Sequence, residues 1–194
     1  MIPRLLVLTD RSQVPAGRRL ADVVRSCADA GATWFVLREL DLPDTARAAL
    51  VAELAGLDVT VLSARAWYDG AAGVHLSATQ TGLTARGVAV HGRSCHDAGE
   101  VRRAVDGGAA YVTVSPVAAS ASKPGHGPAL GAAGLRALTR CALDVPVLAL
   151  GGVDAGNASV FRDAGAHGVA VMGAVMRADD PGAVVRDLLE AVGP

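Results

Sequence analysis

Short apolar runs return along the chain at regular intervals, and more polar stretches separate them. Most of these runs are continuously apolar instead of alternating, which is typical of parallel strands that are covered on both faces. Each run is only a few residues long and rich in valine, leucine or alanine. They predict eight strands, at Arg4–Asp10, Trp34–Glu39, Val59–Ala64, Gly73–Ser77, Val88–Ser94, Tyr111–Val117, Pro146–Gly151 and Val169–Gly173.

Helical spacing marks most of the stretches between the strands. In Ala16–Ala30, for example, apolar residues fall at positions i, i+3, i+4 and i+7. Two connections, Trp67–Ala72 and Ala78–Arg86, are too short or too rich in glycine and threonine for full helices. The other predicted helices are Asp44–Ala55, Asp97–Asp106, Leu130–Cys141, Ala155–Ala164 and Pro181–Val192.

Eight alternating strand and helix units predict a closed (β/α)8 TIM barrel that forms a single domain over residues 1–194. A doubly wound open sheet is the alternative, because strand runs alone do not show closure. In a barrel of this kind the active site lies at the C-terminal ends of the strands, and phosphate groups usually lie at the loops after strands seven and eight.

Composition excludes several classes of partner and site. The net charge is −1 and no basic patch is visible, so we expect no nucleic acid as a partner. No apolar run approaches the roughly 18 residues of a membrane span. Three widely spaced cysteines predict neither a disulfide framework nor a zinc site. Without a signal-peptide pattern, the expected location is the cytoplasm, and a homo-oligomer is left open.

Glycines at the ends of strands seven and eight predict a phosphate site. Gly151 and Gly152 follow strand seven, and Met172 and Gly173 end strand eight. Glycine lets backbone N–H groups approach a phosphate closely. We therefore expect these four residues to bind a phosphorylated substrate, although Gly151-Gly152 could also serve only as a tight turn.

Polar residues at the ends of two other strands are candidates for ligand contact. Arg38 and Glu39 are adjacent on strand two, so only one of them can point into the barrel mouth. An inward arginine would bind an anionic ligand; the alternative is a charged pair on the rim. Ser94 lies where strand five meets its helix, and would either cap that helix or donate to a ligand.

The segment Ala118–Ala129 after strand six contains the chain's single lysine, Lys123, beside Ser120 and Ser122. A lysine ammonium on its flexible stem suits a mobile anionic group. His126 follows in the same segment. We interpret the segment as a lid over the mouth, and the alternative is an ordinary solvated loop lysine.

Together these motifs resemble the thiamine phosphate synthase/TenI superfamily over nearly the whole chain. The resemblance implies a (β/α)8 barrel that binds the phosphorylated thiazole of thiamine biosynthesis. It is carried by Leu8-Thr-Asp10, Leu37-Arg-Glu39, Gly73-Val-His-Leu76, Ser115-Pro-Val117 with Ser120-Ala-Ser-Lys-Pro-Gly125, Leu150-Gly-Gly152 and Ala164-Gly-Ala-His-Gly-Val-Ala-Val-Met172.

The synthase branch joins a pyrimidine diphosphate to the thiazole phosphate with Mg²⁺. The resemblance implies Asn-Asp at the end of strand three and a further aspartate after strand four. This chain has Ser63-Ala64 at the first position and Gln80 or its neighbours at the second, so the carboxylates that Mg²⁺ prefers are missing. The synthase loop that holds the diphosphate is matched by Ser120, Ser122 and Lys123.

The TenI branch, which tautomerises the thiazole, also lacks the metal carboxylates and resembles this chain at Gly92-Arg-Ser94. Its expected proton-shuttling histidine is replaced by Pro116. Our leading hypothesis is nevertheless a TenI-like tautomerase without metal or cofactor. The proton transfer requires a group that titrates near neutral pH, and His126 or Glu39 would supply it.

In this hypothesis Arg38 and Lys123 hold anionic groups and Ser94 orients the ring. Two alternatives are a thiamine phosphate synthase, with Mg²⁺ held by the substrate diphosphate, and a degenerate barrel that binds a phosphate ligand without chemistry.

Overall fold

Eight parallel strands close into a barrel in a computed structural model that describes residues 1–81, 90–119 and 129–193. The strands pair in chain order, and β1 pairs with β8 to complete the ring. The predicted closed barrel is confirmed, and the open sheet is excluded. The strands are β1 Leu5–Leu8, β2 Trp34–Leu37, β3 Thr60–Ala64, β4 Gly73–Leu76, β5 Val90–Cys95, β6 Tyr111–Val114, β7 Val147–Leu150 and β8 Gly168–Val171.

Helices follow most strands and cover the outside of the barrel. No helix is present at 67–72, as the sequence predicts. Within the described ranges, no helix is long and apolar enough to cross a bilayer. The α-helices are α1 Leu20–Asp29, α2 Asp44–Ala55, α3 Ala98–Asp106, α4 Gly131–Thr139, α5 Ala158–Asp163, α6 Gly173–Met176 and α7 Pro181–Val192, and a 3-10 helix spans Arg11–Gln13.

The short helix α6, like the 3-10 helix at Arg11–Gln13, has no sequence signal. It has 4 residues, about one turn, which is too short to show helical periodicity. Its first residue, Gly173, is the position at which the sequence predicts the end of strand eight. The C-terminal end of β8 therefore passes almost directly into a helical turn.

Alternation along the strands divides the apolar residues into two cores. One set, which includes Val7 and Phe35, packs between the sheet and the helices. The other set, which includes Leu6, Leu62 and Leu148, fills the inside of the barrel. Because the interior is filled with side chains, a ligand can bind only above it, at the mouth.

Tyr111 is the largest fully buried side chain among the described residues, and it lies inside the barrel. A Cβ atom on Gly92, its partner in the β5–β6 register, would overlap the Tyr111 ring. The glycine in Gly92-Arg-Ser94 is thus required by packing. It leaves room for an aromatic ring whose hydroxyl reaches the polar layer beneath the mouth.

Candidate active site

Polar side chains replace the apolar filling at the C-terminal ends of the strands. The alternation that places Val36 and Tyr111 inside the barrel places the residues two positions later, Arg38 and Thr113, inside as well. His75 and Ser94 join this layer through hydrogen bonds to the interior. Among the described residues, the lining of the mouth therefore includes the guanidinium of Arg38, the imidazole of His75 and the hydroxyl of Ser94. The buried hydroxyl of Thr113 lies beside Ser94.

Arg38 is the cation on the β2 side of the mouth. Its Nη1 donates to Met172 Sδ at 2.6 Å, across β1, and its backbone N donates to Thr9 Oγ1 at 3.1 Å. Within the described part of the chain, no carboxylate lies within salt-bridge distance of its half-buried guanidinium. A thioether is only a weak acceptor, so an anionic ligand would be a much better partner.

Glu39 faces away from the mouth. It is 3% exposed, and it accepts hydrogen bonds from Thr9 Oγ1 at 2.7 Å and from the backbone N of Arg11 at 3.1 Å. Arg11 also forms a 3.2 Å salt bridge to Glu39 and bonds to Asp41, and these contacts raise the pKa of Arg11. The Glu39 carboxylate therefore holds the segment that follows β1 in place.

His75 lies at the centre of the polar layer, and sequence reasoning did not identify it. Its Nδ1 is 2.9 Å from the hydroxyl of Tyr111, and its Nε2 is 2.9 Å from Ser94 Oγ. Burial, with the positive charges of Arg38 and Arg93, lowers the pKa of His75 to about 4. The ring is therefore neutral at neutral pH. The sequence signal for His75 was the motif Gly73-Val-His-Leu76, which carries part of the family resemblance.

Ser94 is half-buried and does not cap α3. The N-cap is Asp97, whose Oδ1 accepts from the backbone N of Glu100 at 2.8 Å. Ser94 pairs in register with Thr113, whose Oγ1 is buried and has no hydrogen-bond partner among the described residues. Two hydroxyl groups thus lie side by side on the β5–β6 side of the mouth.

The glycine pair after β7 packs tightly against the end of β6. Gly151 and Gly152 have φ values of +92° and +68°, and a Cβ atom on Gly152 would overlap the backbone of Ala118 and Ala119. Ala118 N donates to the carbonyl of Gly151 at 2.9 Å. This packing requires a glycine turn, and phosphate binding by the pair stays a prediction.

Met172 and Gly173 begin the turn of α6, and a further arginine lies over them. A Cβ atom on Gly173 would overlap the guanidinium of Arg177, which donates to Gln13 Oε1. Arg177 is exposed and was not identified from the sequence, because its position depends on the missing side chain of Gly173. Phosphate binding at Met172 and Gly173 also stays a prediction.

Four predicted site residues, Ser120, Ser122, Lys123 and His126, lie outside the described residues. The described residues on either side of this segment are anchored beside the mouth. Leu130 N donates to the carbonyl of Pro116 at 2.9 Å, and Gly131 N to that of Val117 at 3.0 Å. The described residues 116–119 and 130–131 therefore lie together, close to the glycine pair after β7.

The residues at the ends of β3 and β4 do not fit a Mg²⁺ ion held by protein carboxylates. Ser63 Oγ donates to the carbonyl of Ala66, and Gln80 Nε2 donates to the carbonyl of Arg65 at 2.6 Å. Among residues 1–81, 90–119 and 129–193, no three His, Cys, Asp or Glu side chains lie close enough to share one ion. The donor set of this mouth instead suits anions.

Comparison with known proteins gives a consistent result. A family model described as thiamine monophosphate synthase matches residues 5–175. A thiamine-phosphate synthase of Salinispora tropica is 44% identical over 128 residues, which cover 63% of this chain and 61% of that protein. A thiamine-phosphate synthase of Chloroflexus aurantiacus is 34% identical over 201 residues, which cover 95% of this chain and 90% of that protein.

Solved structures agree with the sequence comparison. A thiamine phosphate pyrophosphorylase from Pyrococcus furiosus matches with a TM-score of 0.84 at 25% identity, over 97% of this chain and 95% of that one. The chain spans less than two thirds of some curated relatives, and only 39% of a bifunctional thiamine biosynthesis protein of Symbiobacterium thermophilum.

These names overturn the leading hypothesis from the sequence. The relatives are called synthases, which are transferases, so the prediction of a TenI-like tautomerase, an isomerase, is wrong. The missing carboxylates at Ser63-Ala64 and Gln80 were therefore a poor guide to the reaction. The tautomerisation, in which His126 or Glu39 was expected to move a proton, is therefore no longer the expected reaction.

Proposed function

Because the chain belongs to the thiamine monophosphate synthase family, we propose that it is a transferase that joins a pyrimidine diphosphate to a thiazole phosphate. In this reaction the bond between the pyrimidine's side-chain carbon and a diphosphate oxygen breaks. A ring nitrogen of the thiazole forms the new bond to that carbon, and the diphosphate leaves with the electron pair.

The observation that carries the proposal is Arg38, a half-buried cation in the mouth. Among the described residues its guanidinium bonds to the thioether of Met172 and forms no salt bridge. Negative charge develops on the diphosphate as it leaves, and fixed donors aimed at that charge lower the barrier. Arg38 and the hydroxyl of Ser94 are such donors. Lys123 with Ser120 and Ser122 would add to them, as the sequence predicts.

The thiazole phosphate would bind at the ends of β7 and β8. Gly151, Gly152, Met172 and Gly173 would donate backbone N–H groups, since none of the glycines has a side chain to block the approach. Arg177, which lies over Gly173, would add a positive charge. Because Arg38 contacts Met172, this arrangement would place the two substrates next to each other in the mouth.

No step of this proposal is assigned to a protein-bound metal, since Ser63-Ala64 and Gln80 supply no carboxylate. The protein's own contribution is to bind two anionic substrates next to each other, orient them and stabilise the leaving group. Holding two reactants in reactive geometry is itself a large part of such a rate enhancement.

The experiment is a direct assay with both substrates. Purified protein is incubated with the pyrimidine diphosphate and the thiazole phosphate, and thiamine phosphate and released diphosphate are measured by chromatography. We expect equal amounts of the two products, and a rate at least tenfold lower in Arg38→Gln, about the loss of one charged hydrogen bond.

The matched control is Arg25→Gln, which removes the same charge from the exposed face of α1. It should leave the rate unchanged. Absence of product at any Mg²⁺ concentration would overturn the proposal, and so would binding of both substrates without turnover.

A further inference from the structure

A continuous hydrogen-bonded chain runs from the interior of the barrel to its mouth. It begins at the hydroxyl of Tyr111, passes through both nitrogens of His75 and ends at Ser94 Oγ, with 2.9 Å at each step. Tyr111 and His75 are buried, and Ser94 is half-buried at the mouth. The two rings also stack, with centroids 5.6 Å apart.

The direction of these hydrogen bonds follows from the chemistry of a neutral imidazole. One ring nitrogen of a neutral histidine donates, and the other accepts. Burial lowers the pKa of His75 and raises the pKa of Tyr111, so the imidazole is neutral and the phenol keeps its hydrogen. Only two arrangements of the chain are then available, one for each tautomer.

The environment of Tyr111 selects between the two tautomers. Within the described ranges, His75 Nδ1 is the only hydrogen-bond partner of the Tyr111 hydroxyl. If Nδ1 carried the hydrogen and donated to the phenol, the buried phenolic hydrogen would have no acceptor, which is unfavourable. Tyr111 therefore donates to Nδ1, the hydrogen of His75 lies on Nε2, and Nε2–H donates to Ser94 Oγ.

From this geometry we propose that His75 and Tyr111 are positioning residues that make Ser94 a hydrogen-bond donor to an anionic phosphate or diphosphate oxygen in the mouth. Because Ser94 Oγ accepts from Nε2, its own hydrogen is free for a ligand. Thr113, its neighbour in register, is fully buried and places a second hydroxyl without a described partner beside Ser94. The identification of the ligand as a diphosphate rests on the proposed function. The direction of the hydrogen bonds from Tyr111 to Ser94 does not.

The first experiment reads the tautomer directly, without substrate. Protein labelled with ¹⁵N in the histidine rings is studied by a long-range ¹H–¹⁵N correlation spectrum, in which the two tautomers give different patterns. We expect His75 to be protonated on Nε2 alone. Tyr111→Phe, which keeps the aromatic ring, should give a mixture of the two His75 tautomers. The histidine whose ring signals change in this variant is thereby identified as His75, even if His75→Gln does not fold.

A wild-type His75 protonated on Nδ1 would overturn the inference, whatever the enzyme's activity. Conversely, the expected tautomer together with no thiamine phosphate synthesis would contradict the proposed function and leave this inference standing. The two failures are therefore distinguishable.

The second experiment measures binding of inorganic diphosphate by calorimetry. Ser94→Ala should weaken binding about tenfold, as for one hydrogen bond to a charged group. Tyr111→Phe should weaken it by a smaller factor, because Ser94 then donates only part of the time. Thr139→Ala, which removes a hydroxyl at the end of α4, is the control and should bind normally. Unchanged binding in Ser94→Ala would overturn the assignment of Ser94 as a donor to the ligand.

Discussion

The ring of Tyr111 occupies the space in which a side chain on Gly92 would lie, so the two residues form one packing unit across the β5–β6 pair. This unit fixes the height of the Tyr111 hydroxyl beneath the mouth. The packing of Tyr111 thus serves two purposes. The ring fills the barrel and stabilises it, and the hydroxyl orients His75 at the site.

Replacing Gly92 should destabilise the protein and disturb the site together. In Gly92→Ala the new methyl group overlaps the Tyr111 ring, and overpacking of this kind costs about 1–3 kcal/mol. Urea unfolding measures the loss. Gly56→Ala, at the end of α2 where a methyl group meets only ordinary contacts, is the control and should change stability by less than about 1 kcal/mol. Equal stability of the two variants would contradict the packing unit.

Gly152 should be more sensitive to substitution than a glycine that has only an unusual backbone angle. Gly152→Ala combines a φ of +68° with overlap of the Ala118 and Ala119 backbone. Gly17→Ala has a comparable φ of +84° and nothing within 4 Å of the new methyl group. We expect about 1 kcal/mol of destabilisation for Gly17→Ala and at least twice that for Gly152→Ala, measured by urea unfolding. A similar loss in both would rule out the tight packing after β7.

Gly173 and Arg177 should act as a coupled pair in phosphate binding. Gly173→Ala moves the guanidinium, so it should weaken binding of the thiazole phosphate about as much as Arg177→Gln does, roughly fivefold to tenfold. The double variant should lose little more than either single one, because both changes remove the same contact. Calorimetry with all three variants measures this, and additive losses would show that the two residues act separately.

Glu39 should be important for stability and not for the pH dependence of the reaction. Glu39→Gln weakens hydrogen bonds from Thr9 and Arg11 to a buried carboxylate, and we expect about 1–3 kcal/mol of destabilisation. Asp41→Asn, which weakens an exposed contact to the same arginine, should cost less than about 1 kcal/mol. The pH profile of product formation should be the same as in the wild type, and a lost limb in that profile would assign Glu39 a role in proton transfer.

The buried His75 should make stability fall in mild acid. Its pKa is about 4 in the folded protein and 6.5 in the unfolded chain, so between these values the unfolded state binds more protons. Stability is therefore complete above pH 6.5 and falls as the pH drops towards 4, by up to about 3 kcal/mol for this group. Urea unfolding at several pH values measures the slope.

In His75→Gln this part of the slope should disappear, although other groups, such as His167 with its own pKa lowered by burial, still contribute. An identical slope in the variant and the wild type would contradict the neutral, buried state of His75.

The barrel itself could be predicted from sequence because continuous apolar runs are a local property. Alternation also correctly limits the pair on β2 to one inward residue, and the structure shows that this residue is Arg38. Alternation does not show which groups bond to each charged side chain. Sequence alone does not say which of Arg38 and Glu39 faces the mouth, because the hydrogen bonds from Thr9 and Arg11 to Glu39 form only in the folded barrel.

The central histidine was missed for a related reason. The contacts of His75 come from β5 and β6, so they depend on the register between strands that are distant in sequence. Arg177 was missed because its place is set by an absent side chain on Gly173. The function was predicted wrongly because missing carboxylates at two places, Ser63-Ala64 at the end of β3 and Gln80 after β4, outweighed the agreement along the rest of the chain.

The bonded residues on either side of positions 120–128 have a consequence for engineering. Leu130 and Gly131 are bonded to the carbonyls of Pro116 and Val117, so the backbone of these four residues forms a fixed frame on the barrel. Substitutions that keep these backbone bonds should leave the frame in place. Proline at position 130 or 131 would remove a donor N–H group and open it.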